Sequence, residues 1–96
     1  MKLEWTQQAL SDIDDIMLFI AKDNIERAIS FTDELMDYPN KHLPDHPYLG
    51  VPYSREYGDE IRLLIYKGYN IIYQIAGDRI IIHVVYNQSK TPHIRK

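Results

Sequence analysis

The chain has no cysteine among its 96 residues. That excludes disulfides and thiolate-ligated metals, and it fits a reducing, cytoplasmic setting. No run of about 18 apolar residues occurs, so no segment is expected to cross a membrane, and Met1-Lys2-Leu3-Glu4 does not open a secretory signal. Glycines number only four and form no phosphate-binding loop, and no serine stands in a nucleophile arrangement with a base. The four histidines (His42, His46, His83, His93) are not grouped at metal-ligand spacing. His42 and His46 are four apart, but Pro44 between them denies the pair a common helical face. No metal and no cofactor is expected. Positive charge is also scarce: 11 Lys and Arg against 14 Asp and Glu leave a net charge of −3, which disfavours tight, nonspecific nucleic-acid binding.

What is present is a small domain with segregated charge. Residues 1–48 hold four Lys/Arg against ten Asp/Glu, and residues 49–96 hold seven against four. The first half is acidic and the second basic, a polarity that can orient a domain towards a partner, although acids also fill the solvent faces of helices. Lys2-Leu3-Glu4-Trp5 alternates and predicts a short strand with Leu3 and Trp5 inward. Thr6 is a helix cap candidate, followed by an apolar stripe of Leu10, Ile13, Ile16, Met17, Ile20 and Ala21. A second helix begins at Asp23 or Asn24, with Ile25, Ala28, Ile29, Thr32, Leu35 and Met36 on its inner face. The connection is so short that the two helices must pack as an antiparallel hairpin. Pro39 predicts an end or kink. Residues 44–58, with three prolines, two glycines and three tyrosines, read as an irregular connector.

Three runs rich in β-branched and aromatic residues follow, Glu60–Tyr66, Tyr69–Ile75 and Arg79–Tyr86, joined through Lys67-Gly68 and Gly77-Asp78. These spell a tight antiparallel meander. The whole order is β-α-α-β-β-β, an α+β fold in which a helical hairpin packs on a small antiparallel sheet, with the first strand joining its edge. Residues 1–96 form one domain whose last stretch, 87–96, is a polar, basic tail. By simple alternation Ile80, Ile82 and Val84 point one way and Ile81 and Val85 the other. Both sets are apolar. One face covers the hairpin, and the other calls for a partner unless the connector or tail folds over it.

Several stretches resemble the RelE/ParE family of bacterial toxins. Trp5-Thr6 with Ala9 and Asp12-Ile13, Ile20-Ala21 before Asp23-Asn24, and Ala28 are similar to its helical half. Leu43, Pro47 and Leu49-Gly50, then Glu60-Ile61-Arg62, Gly68-Tyr69 with Ile71-Ile72-Tyr73, and Gly77-Asp78 with Val84-Val85 are similar to its sheet half. The resemblance runs over about residues 1–90. It implies the toxin of a type II toxin–antitoxin module, of the kind that serves plasmid stabilisation or stress response, wrapped by a cognate antitoxin. RelE-like members cleave mRNA on the ribosome, whereas ParE-like members poison DNA gyrase.

RNA cleavage without metal needs a base for the 2′-hydroxyl and cations for the phosphorane. The basic positions of RelE-like ribonucleases fall here on Ile61, Leu63 and Asn70, with only Lys90 cationic. A register slip of one would bring in Arg62. The ParE side also departs: its usual arginine after the connector glycine is Val51, and the histidine at the end of its last strand falls near Tyr86. The resemblance thus implies a ParE-like gyrase inhibitor with no catalytic residue, with the ribosome and mRNA as the alternative target and a non-toxic binding module as a third reading. Candidate target contacts are Arg62, Tyr86, Lys90, Arg95 and Lys96. Arg62 has a structural alternative, pairing with Glu60 or a helix carboxylate. Candidate antitoxin contacts are Ile81, His83 and Val85, and His83 among isoleucines and valines reads as packed or interfacial rather than as a base.

Overall fold

Alternation in Lys2–Trp5 does produce a strand, β1, and it lies at one edge of a five-stranded sheet. The structure, a computed structural model, describes residues 1–89. After β1 come α1 (Gln7–Ala21), α2 (Ile25–His42), β2 (Val51–Pro52), a 3-10 turn (Arg55–Tyr57), β3 (Ile61–Tyr66), β4 (Tyr69–Ala76) and β5 (Arg79–Asn87). The strand order is β1-β5-β4-β3-β2. The meander is antiparallel as expected, while β1 runs parallel to β5, with Leu3 opposite Ile80 and Trp5 opposite Ile82. The α+β reading stands, on a sheet that is mixed rather than wholly antiparallel and that gains β2 from the connector.

Local chemistry sets most boundaries. Thr6 is extended, and its hydroxyl accepts the Ala9 N–H at 3.0 Å, capping α1. Of the two cap candidates for α2, Asn24 takes the position and accepts the Arg27 N–H at 2.9 Å. Lys67 and Gly68 both have positive φ, 47° and 87°, and join Tyr66 directly to Tyr69. That is the type I′ turn whose twist suits a hairpin.

Of the two outcomes expected at Pro39, the structure excludes an end: α2 passes through it to His42. An interior proline removes a helix hydrogen bond at a cost of about 3 kcal/mol, and tertiary contacts outweigh it. Pro39 and Leu43 are fully buried. The Trp5 indole donates to Asn40 at 2.9 Å, and Leu43 N–H still donates to the Pro39 carbonyl at 3.0 Å.

A bulge overturns the simple alternation expected in β5. Across β4 and β5, Ile72 faces Val84 and Tyr73 faces Ile82, so His83 is the extra residue. One inserted residue reverses the alternation beyond it. Val85, expected on the open face, is 3% exposed and packs in the core with Ile80, Ile82, Ile71, Tyr73 and Leu35. Val84 moves to the face of Ile81. α1 secures the shift: the Thr6 hydroxyl donates to the His83 carbonyl at 3.2 Å, and Asp12 Oδ2 accepts the Val85 N–H at 2.9 Å.

Glu34 ties α2 to the β3–β4 hairpin, accepting from Lys67 Nζ at 2.8 Å and from the Tyr66 hydroxyl at 2.7 Å. These two bonds bring its carboxyl from 4.5 to about 2. A carboxylate depressed in the folded state adds stability that is present above its unfolded value and lost as pH falls through the folded one. Glu34→Gln is therefore expected to melt below the wild type at neutral pH. The gap should close as pH falls from 4.5 through about 2. Thermal melts over that window check this, and parallel curves for the two proteins would refute it.

Candidate functional site: the open face of the sheet

The helices cover one face of the sheet, and β-pairing defines what stands on the other. Val51, Leu63, Ile72 and Val84 form one row across four strands. Ile65, Asn70 and Tyr86 form a second row, and Ile61, Gln74 and Ile81 a third. His83, at the bulge, is hydrogen-bonded through Nε2 to Gln74 Oε1 at 2.8 Å. Beyond β2 the Tyr53 N–H donates to the Ile61 carbonyl at 2.8 Å, which extends the pairing by one residue. The Tyr53 phenol is pushed up by burial and by the neighbouring Tyr86 phenol, and its ring stacks on that of Tyr57 at 6.1 Å. The connector thus covers part of the face. Val51 and Ile65 nevertheless remain 58% and 51% exposed.

Such a surface is suited to burial against a partner. Its rows are aliphatic and phenolic. Its amides are Asn70, whose Oδ1 is buried without a hydrogen-bond partner, and Gln74, which is used by His83. Ile61, Leu63 and Asn70, the positions matching nuclease cations, all stand on this face.

Arg62, a candidate target contact from sequence, points to the opposite side and is only 8% exposed. Its Nε donates to the Gly50 carbonyl at 2.8 Å, and Nη1 donates to the Asp59 carbonyl at 3.4 Å. The guanidinium lies over the Tyr48 ring at 4.9 Å. Neither Glu60 nor a helix carboxylate is its partner, so the structural role is to hold the connector rather than to form an ion pair. The same knot includes Tyr73, whose hydroxyl accepts the Gly50 N–H at 3.0 Å and donates to the Pro47 carbonyl at 2.6 Å. Burial pushes the Tyr73 phenol up. Pro47, Gly50, Arg62 and Tyr73 were separate signals in the sequence. In the fold they are one hydrogen-bonded unit that sets where β2 joins the sheet.

Of the remaining sequence candidates, Ile81, His83 and Tyr86 share the open face, and Val85 lies in the core behind it. Lys90, Arg95 and Lys96 lie outside the described residues. Sequence reasoning missed Val51, Leu63, Ile65 and Val84 as open-face residues, and the period-2 pattern of β3 was the signal available for two of them. Among the described residues no three His, Asp or Glu side chains gather as a metal site, and no helix is long and apolar enough to cross a membrane. A concavity of about 710 Å³ lies between α1 and β5, lined by Asp12, Asp15, Ile16, Leu18, Val85 and Asn87 among others.

Comparison with known proteins agrees with this fold. The chain is similar in structure to a protein of the chromosomal ParDE toxin–antitoxin system from P. aeruginosa, with a TM-score of 0.75 and 21% identity, over 91% of this chain and 95% of that one. It is also similar to a conserved hypothetical protein of Helicobacter pylori, with a TM-score of 0.61 and 17% identity, over 94% and 97% of the two chains. At these identities the likeness speaks for the fold alone. No curated protein sequence matches significantly. The family profile described as ParE toxin of type II toxin-antitoxin system, parDE, matches residues 3–91. The match spans nearly the whole sequence, and the chain belongs to the ParE toxin family of type II toxin–antitoxin systems.

Proposed function

We propose that this protein acts as a toxin by binding and trapping DNA gyrase, and that a cognate antitoxin neutralises it by lying over the open face of the sheet. The observation that carries this reading is the chemistry of that face. Where an RNA-cleaving relative places cations, this chain has Ile61, Leu63 and Asn70, and Arg62 is turned away and used by Gly50. With no cation in those rows, a phosphorane there would go unstabilised, whereas a partner could bury Val51, Leu63, Ile65, Val84 and Ile81. Ile81 and His83 belong to the antitoxin surface on this reading. Tyr86 and the tail cations Lys90, Arg95 and Lys96 are the target contacts. Arg62 and Val85 are withdrawn from both groups by their burial.

Incubation of the purified protein with gyrase, ATP and relaxed plasmid tests the target. The expected result is inhibited supercoiling with trapped double-strand breaks. Unimpaired supercoiling would sink the gyrase reading. Cleavage of mRNA on translating ribosomes in the same preparation would then establish the nuclease, and neither effect would leave a non-toxic binding module.

A further inference from the structure

One residue of the open sheet face is covered. Ile72 is only 8% exposed, yet it does not belong to the core between sheet and helices. Its row neighbours leave it uncovered: Val51 is 58% exposed, and Leu63 and Val84 are partly exposed. Two tyrosines supply the cover. The bond from its N–H to the Ile61 carbonyl sets Tyr53 beyond β2, at one corner of the face. Tyr86 stands on β5 at the opposite corner, across from Asn70. The line between these corners crosses the sheet diagonally over Leu63 and Ile72. The two phenols are neighbours, so the side chains together span that line.

The segment that carries Tyr53 is lightly held. The 3-10 turn Arg55–Tyr57 has no buried residue, and Tyr53 and Tyr57 are 43% and 53% exposed. Beyond the Tyr53 N–H, its backbone bonds are local: Glu56 donates to the Ser54 hydroxyl, Tyr57 to the Ser54 carbonyl and Gly58 to the Arg55 carbonyl. Segments with so few buried contacts open at low free energy. The covered state also leaves a polar group unserved. Asn70 Oδ1, on the strand position beside Tyr86, is buried with no hydrogen-bond partner among the described residues, which is unfavourable. We propose that residues 53–58 are a strap closed over the open face and that the partner of this face displaces it. That partner seats an aliphatic side chain on Leu63 and Ile72 and a hydroxyl or amide N–H on Asn70. The inference rests on the reading of the face as a partner surface, and adds what the partner must present and what it must move.

The test uses the full chain and bis-ANS, a dye that brightens on exposed apolar surface. Tyr53→Ala should raise dye fluorescence at least about threefold, and adding Leu63→Asp should return it to the wild-type level. Circular dichroism melts verify that the variants fold. Hydrogen exchange of the wild type gives an independent readout: amides of residues 53–58 should exchange at least about a hundredfold faster than those of β3 and β4. Co-expressed antitoxin, once bound, should speed exchange in 53–58 further. Asn70→Leu removes the unpaired acceptor at similar volume and should raise the melting temperature of the free chain. The proposal is overturned if Tyr53→Ala leaves dye binding unchanged, or if residues 53–58 are as protected as β3. It is also overturned if bound antitoxin slows their exchange, or if Asn70→Leu melts below the wild type. Dye binding, melting and exchange of the free chain involve neither antitoxin nor gyrase. Failure there is therefore distinct from failure of the toxin reading, which the supercoiling assay reports.

Discussion

Gly50→Ala is expected to lower the melting temperature by roughly 12–24 °C, taking about 3 kcal/mol of destabilisation and about 4–8 °C per kcal/mol for a domain of this size. A methyl group at position 50 would sit 2.6 Å from the Leu63 carbonyl oxygen, 2.9 Å from its carbon and 2.9 Å from Cε1 of Tyr73. The first two are backbone atoms of β3, which cannot yield without loosening the pairing of Val51 with Leu63. The clash also disturbs a unit already full of buried polar groups: the Gly50 carbonyl accepts from Arg62, and its N–H donates to Tyr73. Each buried group left unpaired adds about 1–3 kcal/mol. Tyr73→Phe isolates the polar part of the effect, since it removes the hydroxyl between Gly50 and Pro47 and leaves the space unchanged. Its destabilisation should be smaller than that of Gly50→Ala. Thermal and denaturant unfolding measure both, and a Gly50→Ala protein as stable as the wild type would show that the close approach at Gly50 does not hold β2 to the sheet.

Leu63→Asp and Ile81→Asp are expected to uncouple the toxin from its antitoxin while leaving the chain folded. Both side chains lie in the open-face rows and are partly exposed, so a carboxylate at either position remains hydrated in the free protein. In a dry interface the same carboxylate has no cation among its row neighbours, and burying it unpaired is unfavourable by several kcal/mol. Binding should weaken at least about a hundredfold, equivalent to about 2.7 kcal/mol. Growth arrest should persist when either variant is expressed, and co-expressed antitoxin should no longer relieve it. Leu18→Asp on the hairpin serves as the matched control and should still be rescued. Full rescue of both sheet variants would place the antitoxin on another surface. Loss of toxicity itself would put the target, rather than the antitoxin, on these rows.

Much of the scaffold could be read from local pattern. The Thr6 cap, the two helices and the turns at Lys67-Gly68 and Gly77-Asp78 all follow from neighbours within a few residues and took the form expected, except that Ile25 and Ile29, read as inner-face residues of α2, are 65% and 50% exposed. The open face was foreseen as an apolar surface, but its membership was not. Leu63, Ile72 and Val84 became a row only once β-pairing aligned residues from three strands. Arg62 shows the same limit in a single side chain. Its sequence neighbours, Ile61 and Leu63, do not say whether the guanidinium meets solvent, a carboxylate or a carbonyl. Gly50, twelve positions away, decides it.

From sequence alone came the order of the elements other than β2, the ends of α1, the tight meander and the absence of cations at Ile61, Leu63 and Asn70. Each depends on a residue's own conformational preference or on its identity. The tertiary structure alone decided the course of α2 through Pro39, the inward turn of Val85 and the outward turn of Val84. Each of these trades a local preference against partners far along the chain. Asn40 is held by Trp5, and the bulge by Asp12, whose carboxylate accepts the Val85 N–H across 73 residues of sequence. Periodicity within a strand carries no information about such a bond, because the bulge costs little locally and is selected by what packs against it.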